Sequence, residues 1–257
     1  MRLIAYGCSY TQGAELADDW LTGKHHLTID KEKKALGVDS FYQKYTKQYD
    51  RDRYERIMAQ KSYAAKIAVS INADDYINRA YAGKSNKAIF LDVVEDIQSG
   101  FIQKDDLIFV GLTSSDRYTW FQNGKTHYGL PLGGSWPNPK LRNQILKTWT
   151  DDDYLYDTVV GFYSLKGLLK DYKFCYQTVH YPYTDLHNKS EVTQSIWNEL
   201  INIERTCIIP GYSFWMEIEH GDYENPTHGF HHPRHEIANT FGEKVGTALR
   251  KKLGLEK

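Results

Sequence analysis

The seven residues Gly7-Cys8-Ser9-Tyr10-Thr11-Gln12-Gly13 follow directly on the apolar run Leu3-Ile4-Ala5-Tyr6. A hydroxyl on a tight strand-to-helix turn stands at the carboxyl edge of a sheet. Glycines on either side let the backbone turn sharply and approach a substrate closely. Nearby N–H groups can then face an oxyanion, which makes Ser9 a candidate nucleophile. A turn of this kind can also cradle a phosphate, and a serine there can simply cap a helix.

Three further segments have residue types suited to the same chemistry. Asn78-Arg79-Ala80-Tyr81-Ala82-Gly83-Lys84-Ser85-Asn86 lies between an expected strand and an expected helix. Gly83 offers a backbone N–H with no side chain in the way. Asn86 is either a group that positions a substrate or a first-turn helix residue. Gly111-Leu112-Thr113-Ser114-Ser115-Asp116-Arg117 ends the most apolar strand. There Thr113 or Ser114 can each donate one hydroxyl hydrogen bond, and the alternative for Thr113 is a strand-end cap. Last comes His228-Gly229-Phe230-His231-His232-Pro233-Arg234-His235. An imidazole titrates near neutrality and suits proton transfer to and from a serine. Four histidines in eight residues also invite a zinc site. Against it, Pro233 breaks any helix that would align them, and no matched cysteine pair exists.

Taken together, the first two segments resemble the SGNH/GDSL hydrolases, in particular a branch common in phage and bacterial genomes. That branch opens with Gly-Cys-Ser-aromatic-Thr and continues with Asn-x-Ala-x-x-Gly-x-Ser-Asn-x-x-Ile, and both patterns are matched here. The resemblance implies a flavodoxin-like α/β/α sandwich, a Ser9 nucleophile and an oxyanion hole built largely from the Ser9 and Gly83 N–H groups. It departs in two places. Thr113 stands where many members have an oxyanion Asn. The Asp of an Asp-x-x-His-Pro ending is replaced by Gly229, although His232-Pro233 is present. The resemblance therefore makes His232 the base, with His231 as its rival. Asp222, Glu219, Glu217, Glu236 or a backbone carbonyl is left to orient it.

The elements that must carry these segments alternate. Expected strands are Leu3–Tyr6, Tyr76–Ala80, Leu107–Leu112, Phe174–Val179 and Cys207–Ile209. Expected helices start at Ser62 and Ser85 and cover Tyr154–Leu169, Ser195–Ile203 and the region after Pro233. This order predicts one parallel five-stranded sheet between helices, a three-layer α/β/α sandwich in a single domain. Residues 18–60, rich in Lys, Asp and Tyr, read as a polar surface insertion with a helix near Arg51–Gln60. Residues 114–139 read as a loop in which Tyr118, Trp120, Phe121, Tyr128 and Trp136 offer an apolar wall to a sugar or acyl group.

Composition narrows the function. With 32 Lys+Arg against 33 Asp+Glu in 257 residues, the formal charge of −1 gives no reason to expect nucleic acid or an anionic membrane as partner. Three cysteines, Cys8, Cys175 and Cys207, do not make a disulfide framework. No signal peptide or membrane-length apolar run is seen, so a cytoplasmic location is expected, with association with a virion if the chain is phage-encoded. Asn188-Lys189-Ser190 carries no meaning without secretion. The expectation is a serine esterase acting on a small-molecule or glycan ester without a cofactor. The alternatives are a non-catalytic ligand-binding module on the same fold and a histidine-dependent metallohydrolase.

Overall fold

The structure, a computed structural model, describes residues 1–24, 26–36, 38–46, 51–114, 117–122, 125–129, 140, 143, 147, 151–179, 191, 194–195, 207–221, 223 and 233–255. Four parallel strands form its centre: β1 (Arg2–Tyr6), β2 (Asp75–Asn78), β3 (Leu107–Leu112) and β6 (Lys173–Thr178), in the order β2-β1-β3-β6. β1 pairs Leu3 with Tyr76 on one side and with Leu107 on the other, and β3 pairs Phe109 with Cys175. Because successive strand residues face opposite ways, Leu3 and Ala5 enter one core, while Ile4 and Tyr6 enter the other. A sheet covered on both faces needs continuous apolar strands, and every residue of β3 is buried.

One face is covered by α6 (Tyr63–Ser70), α9 (Phe214–His220) and α10 (His235–Lys252). Tyr63, Phe214 and Phe241 form its aromatic centre, with Tyr63 and Phe241 edge-on at 5.0 Å between ring centres. The other face is covered by α7 (Asn86–Gln98) and α8 (Asp151–Leu168), through Ile89, Val93, Phe162 and Leu165. Serine side chains start two of these helices as expected. Ser62 Oγ accepts from the Ala65 N–H at 3.3 Å, and Ser85 Oγ from the Ala88 N–H at 3.2 Å. The three-layer α/β/α sandwich is the observed architecture.

Two expectations are corrected. The sheet has four strands among the described residues, not five. Beside β6 there are only single bridges, Tyr176 to Cys207 and Thr178 to Ser213. Pro210 ends the apolar run and has no N–H for a ladder, which interrupts pairing between the two bridges. The aromatic loop contains a hairpin, β4 (Tyr118–Gln122) antiparallel to β5 (Lys125–Gly129).

The polar insertion contains the expected helix near Arg51–Gln60 and others besides, with buried residues of its own. It folds as α2 (Asp18–Thr22), α3 (His26–Leu36), α4 (Val38–Thr46) and α5 (Arg51–Lys61), after the short α1 (Ser9–Gln12). Ile29, Lys33 and Phe41 within it are essentially fully buried. The Lys33 ammonium lies between the Glu15 and Asp18 carboxylates, at 2.5 Å from Asp18, and Tyr54 donates to Asp18 at 2.6 Å. Among the described residues no helix is long and apolar enough to cross a membrane.

Candidate functional site

The chain passes from β1 to β2 on one side and then crosses back over β1 to β3 on the other. The carboxyl ends of β1 and β3 therefore flank a topological switch point, where ligands of open parallel sheets bind. Ser9 stands there as the first residue of α1 and is 5% exposed. Cys8 caps this turn without a side-chain hydrogen bond. The first N–H groups of a helical turn have no acceptor within it, so these donors point out of the carboxyl edge.

Thr11 explains why the turn needs its glycines. Its side chain fills the space in which a Cβ on Gly7 or Gly111 would stand, 2.1 and 2.4 Å from Thr11 Oγ1. Thr11 Oγ1 lies 2.7 Å from the Tyr63 hydroxyl, and burial pushes that phenol well above its ordinary range, so both groups are neutral. One threonine thus joins the ends of β1 and β3 to α6. In the sequence Thr11 stands out only as part of the serine motif.

The segment carrying Gly83 is laced onto this turn. Arg79 N–H donates to Ala5 O at 2.8 Å, Tyr81 N–H to Gly7 O at 3.1 Å and Ala82 N–H to Gln12 Oε1 at 3.0 Å. Asn78 Nδ2 donates to Thr11 O at 3.0 Å. Arg79 also holds Asp96 with two bonds of 2.8 and 2.9 Å, and the buried Tyr6 hydroxyl donates to the same carboxylate. Gly83 follows in an exposed turn closed by Lys84 N–H to Tyr81 O. Its φ of +82° suits glycine. The roles of Gln12 and Asn78 in this lacing do not show in the sequence, although both residues sit inside the quoted segments.

Asn86 and Thr113 meet, in an arrangement different from the expected one. Asn86 is 1% exposed; its Oδ1 accepts from the Thr113 N–H at 2.8 Å and its Nδ2 donates to Thr113 O at 3.0 Å. The amide thus holds the end of β3, and Asn86 is the first residue of α7, the second of its two expected readings. Thr113 is itself fully buried, which keeps its side chain away from solvent, while Ser114 beside it is half-buried. Arg117 Nη1 donates to Lys84 O at 3.3 Å and joins the third segment to the second. Replacing Asn86 with alanine would leave a buried N–H and C=O of Thr113 without this partner. At about 1–3 kcal/mol for each such group, Asn86→Ala is expected to lose about 2 kcal/mol or more in urea unfolding, with Asn86→Asp in between.

Of the other expected site residues, Trp120 lies in β4. Trp136, Asp222, His231 and His232 lie outside the described residues, as do His228 and Gly229. His235 begins α10, where burial and the nearby Lys61 and Lys66 lower its pKa from the ordinary value. Among the described residues no three His, Cys, Asp or Glu side chains gather as metal ligands. Glu236 is exposed on the first turn of α10, and Glu219 accepts from Trp215 Nε1 at 2.7 Å. Glu217 is buried and accepts from Tyr212, from Tyr223 at 2.9 Å and from Lys244 at 2.7 Å. A cavity of about 410 Å³ opens beside β2, lined by Gln12, Glu55, Arg79, Tyr81, Lys84 and Asp92 among others, but not by Ser9.

Burial works against the Glu217 charge, but Lys244 and the two tyrosines outweigh it and hold the carboxyl below its ordinary pKa. A folded value below the unfolded one adds stability that is complete above the unfolded value, about 4.3, and lost as pH falls through the folded value. Glu217→Gln is therefore expected to be less stable than wild type at pH 7. The gap should narrow as urea unfolding is repeated from about pH 5 down to about pH 2.

No protein-family model and no curated protein matches the chain. Some solved structures align with most of the chain. One, described as a lipolytic protein of the G-D-S-L family from Desulfitobacterium hafniense, is 12% identical over 96% of this chain and 98% of its own, with a TM-score of 0.46. TesA is 11% identical over 98% and 99%, with a TM-score of 0.48. A catalytic mutant of Axe2, an acetylxylan esterase from Geobacillus stearothermophilus, is 12% identical over 99% and 94%, with a TM-score of 0.48. At 11–12% identity, neither function nor residue role is taken from these likenesses.

Proposed function

We propose that this chain is a serine hydrolase that cleaves an ester through a covalent acyl-Ser9 intermediate. One observation carries the reading. Ser9 stands at the carboxyl end of β1, at the switch point, with the Gly83 segment hydrogen-bonded to its turn. Ser9 Oγ attacks the ester carbonyl while its proton passes to His232. The N–H groups of Ser9 and Gly83, with the Thr113 hydroxyl, stabilise the tetrahedral oxyanion. Collapse expels the alcohol, which takes the proton from His232. Water activated by the same imidazole then releases the acid and regenerates Ser9. The substrate class is a small acyl ester, a carbohydrate O-acetyl group included, and the chemistry requires no cofactor.

The test is intact-mass labelling with a fluorophosphonate, which phosphonylates an activated serine. One adduct on wild type, absent in Ser9→Ala and formed far more slowly in His232→Ala, is the expected result. A folded wild type that stays unlabelled would overturn the reading and leave a ligand-binding module on this fold. The burial of Thr113 is the observation that favours that second reading.

A further inference from the structure

Ser9 and Gln12 are the first and last residues of the single turn α1. Three positions apart on a helical turn, they share one face. Gln12 Oε1 leaves the turn and accepts the Ala82 N–H at 3.0 Å, across 70 residues of chain. Ala82 immediately precedes Gly83, the glycine whose N–H the proposed chemistry uses. Tyr81, Ala82 and Gly83 are all exposed, so packing does not hold this tip in place. Hydrogen bonds do. On the entry side Tyr81 N–H donates to Gly7 O at 3.1 Å and Ala82 N–H to Gln12; on the exit side Lys84 O accepts from Arg117 Nη1 at 3.3 Å.

The turn itself makes the direction of the Gly83 N–H the point at issue. Lys84 N–H closes it onto Tyr81 O at 3.4 Å, with Ala82 and Gly83 as the two central residues. Of these two only Gly83 has a positive φ, the pattern of a type II turn. The peptide between the central residues carries the Gly83 N–H, and its direction follows from ψ of Ala82 and φ of Gly83. Glycine accepts either sign of φ, so the residue type alone does not fix where that N–H points. An anchor on the Ala82 N–H removes part of this freedom. Gln12 is the side chain that carries the lacing of the segment up to the residue beside Gly83.

We infer that Gln12 is a positioning residue, whose side-chain oxygen holds Ala82 and so directs the Gly83 N–H relative to Ser9. The inference rests on the serine-hydrolase reading above. Substrate contact is not assigned to Gln12. An oxyanion donor is effective when it already points to where the charge will develop. Removing the Gln12 acceptor leaves Gly83 in the chain but frees its N–H to turn. The transition state then loses stabilisation that the bound ester never used, so kcat falls and KM holds. The bond is exposed, so water replaces it when it is lost and the fold persists.

The experiment uses the full chain and measures kcat and KM for p-nitrophenyl acetate together with thermal unfolding. Wild type, Ser9→Ala, Gln12→Leu and Gln12→Glu are compared. Leucine keeps most of the side-chain volume and cannot accept a hydrogen bond, whereas glutamate offers a carboxylate oxygen at the same reach. Gln12→Leu is expected to lower kcat about tenfold or more, with KM within about twofold of wild type and the unfolding temperature little changed. Gln12→Glu is expected to recover most of that loss. A wild-type kcat in Gln12→Leu overturns the positioning role while leaving Ser9 as nucleophile. Equal losses in the leucine and glutamate variants, or a loss that only tracks the amount of folded protein, also overturn it. Wild type without turnover, or Ser9→Ala with wild-type turnover, removes the serine-hydrolase reading and the role of Gln12 with it.

Discussion

Alanine at position 9 is expected to lower ester hydrolysis by about 10⁴-fold or more, toward the residual rate that an oxyanion site sustains without its nucleophile. The reason is chemical. The covalent route divides one difficult displacement into two easier ones, and it needs an oxygen that can be deprotonated at the carboxyl end of β1. Removing Ser9 Oγ leaves the Gly83 segment, Thr11 and the helices as they are. The Ser9→Ala protein should therefore unfold within about 1 kcal/mol of wild type. Turnover of a chromogenic acetate ester, read beside urea unfolding, separates the two quantities. Loss of activity with stability retained is the expected pair. Activity retained in Ser9→Ala would move the chemistry away from this turn.

Lys33→Met should give the largest loss of stability, about 3–5 kcal/mol, the range for removing one partner of a buried ion pair. Methionine approximates the volume of the stem but leaves Glu15 and Asp18 facing one another without a cation. The Tyr54 and Tyr42 hydroxyls still donate to Asp18, but neither supplies a charge. Burial raises the Asp18 pKa even in wild type, against the opposing pull of Lys33. A carboxyl whose folded value exceeds its unfolded one gains stability as pH falls through the folded value and loses it above. Without Lys33 that value rises further. The deficit of Lys33→Met should therefore be largest near pH 8 and smaller near pH 5. Burial disfavours the Lys33 ammonium too, but Asp18 and Glu15 outweigh it and raise the lysine pKa, so Lys33 stays charged at both values. Urea unfolding of both proteins at the two pH values measures this. A deficit independent of pH would mean that packing, not charge, is what Lys33 supplies.

What sequence alone can show follows from how local each signal is. Leu107–Leu112 is an unbroken apolar run and is legible to its ends, because a strand buried on both faces needs nothing else. Ser62 and Ser85 are legible as caps because their partners lie three residues away. The hairpin escapes a sequence reading although Asn123-Gly124 lies between its strands. That dipeptide is a strong turn signal, here obscured by the aromatic and glycine-rich residues around it. Lys33 is illegible for a different reason. Its partners are 15 and 18 residues away, and a lysine on an otherwise polar stretch reads as solvated until they are folded around it. Ile29 and Lys33 share the buried face of α3, a pattern that a hydrophobicity count records as one apolar residue, not two. Ser9 and Gly83 stand out by residue type and spacing, and their two segments are hydrogen-bonded to each other. The use of the Asn86 amide on Thr113 is a contact across 27 residues that no spacing announces.

A hydrogen bond of 3.0 Å from Arg234, at the start of α10, to Asp30 on α3 sets an order of folding events during synthesis. β1 leaves the ribosome before β2 and β3 and must wait for both before it has neighbours on either side. The arginine that closes the pair comes 204 residues after its partner, at the start of the final helix. Contacts between such distant positions close late, because the chain between them must first lose the entropy of an open loop. A nascent chain that has already made β1, β2 and β3 can therefore pair its sheet before the contact between α3 and α10 closes.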